Sequence, residues 1–223
     1  MQDGIILIDK PAHMTSFGVV ARLRRVLTEN PPYGGCKKIK VGHTGTLDPF
    51  ATGLMIVVVG KECKNASKYS KLGKTYEATI RLGQISTTGD PEGKITDVSD
   101  DIPDRTELEN ALKKFIGKTT QRPPIFSAIK IDGQRAYKLA RDGEKIDMPK
   151  RQVEIYSLDL IDYKYPEVKI KTHVSSGTYI RSLAEDIGKL LEVGAFCVDL
   201  KRTEIDGWKI DDAHKLSDFG IND

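Results

Sequence analysis

An α+β fold, with helices packed on a mixed and mainly antiparallel sheet, is the architecture this sequence predicts. Strand-like segments outnumber helical ones, and the two kinds do not alternate regularly along the chain. That pattern argues against a doubly wound parallel sheet. With 223 residues the chain can bury a real core as one large domain or two small ones.

From the N-terminus, Ile5 to Asp9 reads as a short buried strand, followed by a proline turn and a helix capped by Thr15 or Ser16. Val19, Val20, Leu23, Val26 and Leu27 share one face of that helix, whereas Arg22, Arg24 and Arg25 fall largely elsewhere and read as a solvated basic face. The polar stretch NPPYGGCKK leads into KVGHTGTLDPFATGLMIVVVG at Lys40–Gly60. Its LMIVVV run is short, β-branched and bounded by glycine, as a central strand should be. TYEATIRLG alternates like a strand, and QISTTGDPEGKITDVSDDIPD reads as a turn-rich acidic loop. ELENALKKFIGK is an amphipathic helix with Leu108, Leu112 and Phe115 inward. The prolines, basic residues and aromatics of TQRPPIFSAIKIDGQRAYKLARDGEKIDMPKRQ suggest an excursion from the core. VEIYSLDLIDYKY and EVKIKTHVSS supply two more strands, the second alternating at Val168, Ile170, Thr172 and Val174. The clearest helix is GTYIRSLAEDIGKLLEV, with Ile180, Leu183, Ala184, Ile187, Leu190 and Leu191 on one stripe. A last strand and a closing turn complete the chain.

The net charge of +3 conceals an uneven distribution: residues 1–81 hold thirteen Lys/Arg against six Asp/Glu, and the remainder twenty-two against twenty-six. A basic first third suggests a polyanionic ligand. The cysteines Cys36, Cys63 and Cys197 show no CxxC spacing, and no apolar leader precedes a cleavage site, so a reduced, cytoplasmic chain is expected. No apolar run approaches the length that spans a bilayer.

Several chemistries fail on spacing. GKT occurs at Gly73–Thr75 and Gly117–Thr119, but Lys68 and Leu112 stand where a phosphate loop needs its first glycine. His13, His43, His173 and His214 form no HxxxH pair, and no metal is expected. No GxSxG elbow exists. What remains is Asp48, a single carboxylate in a polar, glycine-broken loop directly before a buried strand. Arg181 opens the strongest helix, where the macrodipole disfavours a cation and a nearby anion would offset the cost. Its partner is either Glu185 at i+4 or, at long range, Asp48.

Six segments in order resemble the TruB family of pseudouridine synthases, the bacterial tRNA pseudouridine-55 synthases. They are GIILIDKPAHMTS, KVGHTGTLDPFATGLMIVVVG, GKTYEATIRLG, RPPIFSAIKIDGQRAYKLARDG, SSGTYIRSLAEDIG and DLKRTEIDGW. The resemblance implies a pseudouridine-synthase fold and an RNA uridine isomerase acting on the T loop of tRNA, without cofactor, membrane, obligatory protein partner or guide RNA. It makes Asp48 the catalytic aspartate and pairs it with Arg181. It places Tyr76 on the flipped uracil, with a share in removing the C5 proton. Tyr179 and Leu200 would line the uracil pocket, and His43 would meet RNA beside the extruded base. Residues 119–152 resemble an RNA-gripping thumb whose Lys130, Arg135, Lys138 and Arg141 would meet phosphates. His13 and Thr46 stand where the family usually has smaller residues. Residues 1–223 are expected to form one catalytic domain without the C-terminal PUA-type domain of many members. Two rivals are an RNA-binding module that has lost catalysis and the catalytic subunit of a guide-RNA particle.

Overall fold

The structure, a computed structural model, describes residues 3–29, 39–127, 129–131, 133–142 and 146–221. In chain order the first elements are β1 (Gly4–Lys10), α1 (Ser16–Glu29), β2 (Val41–His43), β3 (Thr52–Val59), α2 (Ala66–Ser70) and β4 (Lys74–Leu82). There follow β5 (Gln84–Ser86), β6 (Ile95–Asp97), α3 (Arg105–Lys113), β7 (Gly117–Gln121), β8 (Lys130–Ile131), β9 (Gln134–Arg135) and α4 (Ala136–Arg141). The last are β10 (Arg151–Lys164), β11 (Glu167–Val174), α5 (Ile180–Leu190), β12 (Ala195–Ile205) and β13 (Trp208–Lys209). The chain divides into two units, one of Met1–Tyr76 with Lys201–Asp223 and the other of Glu77–Leu200. Among the described residues no helix is long and apolar enough to cross a membrane.

In the first unit β3 is central, as its apolar run requires: Leu54 to Val58 are at most 1% exposed. β1 pairs antiparallel along all of it, from Gly4 opposite Val59 to Lys10 opposite Gly53. The other edge of β3 is shared between β2, antiparallel at Val57–Val59, and the end of β12, parallel at Thr52 and Gly53. The loop carrying Asp48 starts where β2 leaves that edge. Helix α1 covers one face through Val19, Val20, Leu23 and Leu27, packed on Ile6, Ile8, Met55 and Val57. Each such side chain is worth about 1.5–3 kcal/mol of burial. On the opposite face Leu54, Ile56, Val58 and Ile205 meet Tyr69 and Trp208, whose rings stand edge to face at 5.8 Å.

The two candidate caps of α1 prove to have separate tasks. Thr15 Oγ1 accepts from the Gly18 amide at 3.0 Å and caps the helix. Ser16 is turned inward to the Asp48 loop. His13 takes the left-handed conformation, φ 61°, in the turn before it. The turn survives the missing glycine because histidine is among the residues that tolerate this region.

In the second unit β4, β11, β10 and β7 lie side by side in that order. β10 and β11 form an antiparallel hairpin, and β7 pairs antiparallel with the start of β10. The alternation read in β11 is observed: Val168, Ile170, Thr172 and Val174 are at most 1% exposed. Helices α3 and α5 supply Leu108, Leu112, Ile180, Leu183, Ala184 and Ile187 to the interior. α5 ends at Leu190, which is 41% exposed, so the inward stripe stops one turn earlier than the sequence suggests. The acidic segment expected to be a loop contains a short hairpin, β5 with β6, which Gln84 Nε2 ties to Asp97 Oδ1 at 2.6 Å. Every residue of β6 is exposed, so no apolar alternation marks it. Apart from β3 with β12, the pairs with a described register are antiparallel, and the pairing is mixed and mainly antiparallel as predicted.

Gly53 sits where β3 meets β12, at φ 106°, and a Cβ there would lie 2.3 Å from the Arg202 carbonyl oxygen. Backbone cannot yield to that contact cheaply. Gly53→Ala should therefore lower unfolding free energy by about 3 kcal/mol in urea titration. An unchanged midpoint would show that the close strand approach is not required.

Candidate active site

Asp48 is half-buried in the loop between β2 and β3, and the residues around it explain the loop's shape. Leu47, Phe50 and Ala51 are 3%, 8% and 0% exposed, so the apolar residues on both sides anchor the carboxylate-bearing turn. Ser16 Oγ accepts from the Leu47 amide at 2.8 Å and donates to the Leu47 carbonyl at 3.0 Å. One hydroxyl thus fixes both backbone groups of the residue before Asp48. Just after Asp48, the Pro49 carbonyl accepts from Lys10 Nζ at 3.2 Å, and the same ammonium donates to Met14 O and Pro11 O at 2.6 and 2.7 Å. Within the turn the Ala51 amide donates to the Asp48 carbonyl at 3.2 Å.

Arg202, 1% exposed, holds the start of the loop and the strand that follows. Its Nε donates to Leu54 O at 2.7 Å and one terminal nitrogen to Gly45 O at 3.1 Å. Lys74, 7% exposed, donates to Ser70 O at 3.0 Å and Leu72 O at 2.5 Å. Burial, aided by the charge of Arg202, pulls the Lys74 pKa down to about 8. His43 ends β2 opposite Val57 and is half-buried; Tyr76, in β4, is 7% exposed. His43, Asp48 and Tyr76 all belong to the first unit.

Arg181, Tyr179 and Leu200 belong to the second unit. Arg181 is 2% exposed on the first turn of α5. Its guanidinium donates to Thr88 O at 2.8 Å, Phe126 O at 2.9 Å and Asp90 Oδ2 at 3.1 Å. Of the two partners weighed from the sequence, Glu185 pairs with Lys189 at 3.7 Å and also feels the charge of Arg181, while burial raises its pKa. Asp90 is a buried anion beside Arg181 that offsets the helix dipole. Its own second oxygen accepts from Thr88 Oγ1 at 2.5 Å and from the Glu92 amide at 3.1 Å.

Tyr179 precedes α5, and Gln121, 4% exposed, grips both its backbone groups: the amide donates to Oε1 at 2.7 Å, and Nε2 donates to the carbonyl at 2.9 Å. The Tyr179 side chain packs against Ile129, Ala136 and Met148 of the segment expected to be a thumb. Ser182 Oγ donates to Arg122 O at 2.9 Å, and Arg122 pairs with Asp147, so the two ends of that segment are tied together. Leu200 is 5% exposed in β12. The side chains of Lys130, Arg135, Lys138 and Arg141 lie outside the described residues.

Lys10, Ser16, Lys74, Asp90, Gln121 and Arg202 went unrecognised as site residues in the sequence. Lys10 and Ser16 lie in the DKPxxxTS segment and Arg202 in DLKRTEIDGW, where a cation or hydroxyl amid strand residues was the available signal. Asp90 and Gln121 gave none.

The architecture is shared with solved structures. The crystal structure of a Cbf5-Nop10-Gar1 complex superposes with a TM-score of 0.73 and 29% identity, covering 97% of this chain and 53% of that one. The chain thus spans about half the length of that protein. Residues 34–180 match the TruB family pseudouridylate synthase N-terminal domain. The tRNA pseudouridine synthase B of Phocaeicola vulgatus is 42% identical over 217 residues, 96% of this chain and 91% of that protein. The tRNA pseudouridine synthase B of Corynebacterium glutamicum is 39% identical over 224 aligned positions, 98% of this chain and 72% of that protein. The chain belongs to the TruB family of pseudouridine synthases.

The buried Lys74 gives a pH test. The unfolded chain keeps this proton to about pH 10.5 and the folded protein only to about 8, so between those values the unfolded state binds more protons and stability rises with pH. Relative to Lys74→Met, the unmodified protein should gain up to about 3 kcal/mol across that window in denaturant titrations. A difference that does not vary with pH would place the ammonium in solvent.

Proposed function

We propose that this chain isomerises uridine to pseudouridine in tRNA, at position 55 of the T loop, with Asp48 as its single catalytic carboxylate. The observation that carries the assignment to Asp48 is the loop itself: its backbone is fixed immediately before the aspartate by Ser16 and immediately after it by Lys10. Such anchoring holds a carboxylate where a substrate must come to it, which is how positioning lowers a barrier.

One carboxylate suffices for this reaction. A glycosidase needs two because water must be activated and a leaving group protonated. Here the N1–C1′ bond breaks, the freed uracil turns, and C5 bonds to the same C1′ while its proton departs. Asp48 serves either as nucleophile at C1′ or as base in a route through a glycal. Water is a competitor for the open anomeric carbon, so the site has to exclude it. Arg181 pairs with Asp48 and keeps it ionised. Tyr76 stacks on the uracil and assists removal of the C5 proton, Tyr179 and Leu200 wall the pocket, and His43 meets RNA beside the extruded nucleotide. Unstacking that nucleotide costs a few kcal/mol, which the aromatic and aliphatic walls offset. Residues 119–152 grip the T arm, with Lys130, Arg135, Lys138 and Arg141 at phosphates.

Purified protein, incubated alone with an unmodified tRNA transcript, should convert the T-loop uridine. Asp48→Asn should abolish conversion while leaving tRNA affinity within a few fold. Binding without conversion by the unmodified protein would favour a binding module, and inertness relieved by a guide RNA would favour a particle subunit.

A further inference from the structure

Helix α1 carries an exposed surface that neither the core nor the proposed chemistry uses. Phe17 is 66% exposed, the highest value for a large apolar side chain among the described residues. Ala21, Arg24 and Arg25 follow it at helical spacing and are exposed, as is Arg22 on the adjoining row. The one acid of the helix is its last residue, Glu29, four residues after Arg25. A lone aromatic ring on a mainly cationic face is poorly matched to an apolar protein groove, which would want a contiguous apolar patch. It matches a polyanion with exposed ring faces of its own.

This face is fastened to the Asp48 loop. Ser16, the neighbour of Phe17, holds Leu47 by both backbone groups, and Leu47 precedes Asp48. Farther along, Arg24 donates to the Val41 carbonyl at 3.1 Å, two residues before His43. The segment from Val41 to Asp48 and the exposed ring therefore share one rigid support within the first unit.

We propose that Phe17 is a stacking platform for an unpaired base of the RNA that delivers the target uridine, with Arg22 meeting a neighbouring phosphate. The proposal rests on the reading of this chain as an RNA uridine isomerase. Stacking on an aromatic ring is tolerant of base identity, so the platform contributes affinity and register rather than sequence choice.

The test compares Phe17→Ala, Phe17→Leu and Phe17→Trp with the unmodified protein for kcat, KM and affinity on the same tRNA transcript, with thermal melting as the check on folding. Alanine and leucine should each raise KM and weaken binding by about tenfold. They should leave kcat and melting unchanged, and tryptophan should restore binding to within about twofold of the original. Leucine equal to phenylalanine, or alanine without effect in a preparation that modifies tRNA, overturns the platform and leaves the isomerase reading standing. A fall in kcat at unchanged affinity also overturns it, because the residue would then act only through Ser16 and the loop. If the unmodified protein neither binds nor modifies tRNA, the isomerase reading fails and the platform with it.

Discussion

Lys10 and Arg202 are 0% and 1% exposed, and a cation that far from water persists only where acceptors surround it. In the first unit those acceptors are backbone carbonyls of the very segments that frame Asp48: Met14, Pro49, Gly45 and Leu54. Moving the loop would strip a buried charge of partners, and hydrogen bonds to charged groups are worth about 1.5–3 kcal/mol each. The loop's conformation is therefore a condition of the unit's stability. Asp48, the carboxylate proposed to react, inherits that rigidity without being part of the core.

The second unit uses the same device. Arg181 is buried on α5 with the carbonyls of Thr88 and Phe126 and the carboxylate of Asp90 as acceptors. Gln121 fixes Tyr179 at the point where β7 gives way to the proposed thumb. One helix start thus gathers the proposed partner of Asp48, a proposed wall of the uracil pocket, and the root of the segment proposed to hold RNA. Breaking a buried ion pair by removing one member typically costs about 3–5 kcal/mol, so the arrangement is resistant to gradual loosening.

The sequence revealed those features that depend on periodicity. β11 and the body of α5 bury the residues their alternation and helical stripe predicted, and β3 is as enclosed as its β-branched run implied. Features that depend on a single polar residue in a distant apolar frame stayed hidden. Nothing in the sequence marks Lys10, Arg202 and Asp90 as buried, because charge ordinarily seeks water and only tertiary packing puts acceptors around them. The β5–β6 hairpin escaped because its strands are three residues long and largely exposed. Thr15 and Ser16 were indistinguishable as caps, since both carry a suitable hydroxyl; the structure separates them by where Leu47 lies. Asp48 stood out by context and Arg181 by its place at a helix start, whereas His43, Tyr76, Tyr179 and Leu200 were named by resemblance.

In the proposed reaction, backbone anchoring rather than the carboxylate by itself makes the Asp48 loop competent. The most direct measurement of this is Ser16→Ala, followed by hydrogen exchange at the Leu47 amide and by single-turnover pseudouridine formation on a tRNA transcript. Two hydrogen bonds are removed, so exchange at Leu47 should accelerate and the single-turnover rate should fall by roughly thirtyfold, with tRNA affinity retained. A loosened Leu47 amide together with an undiminished rate would contradict the account.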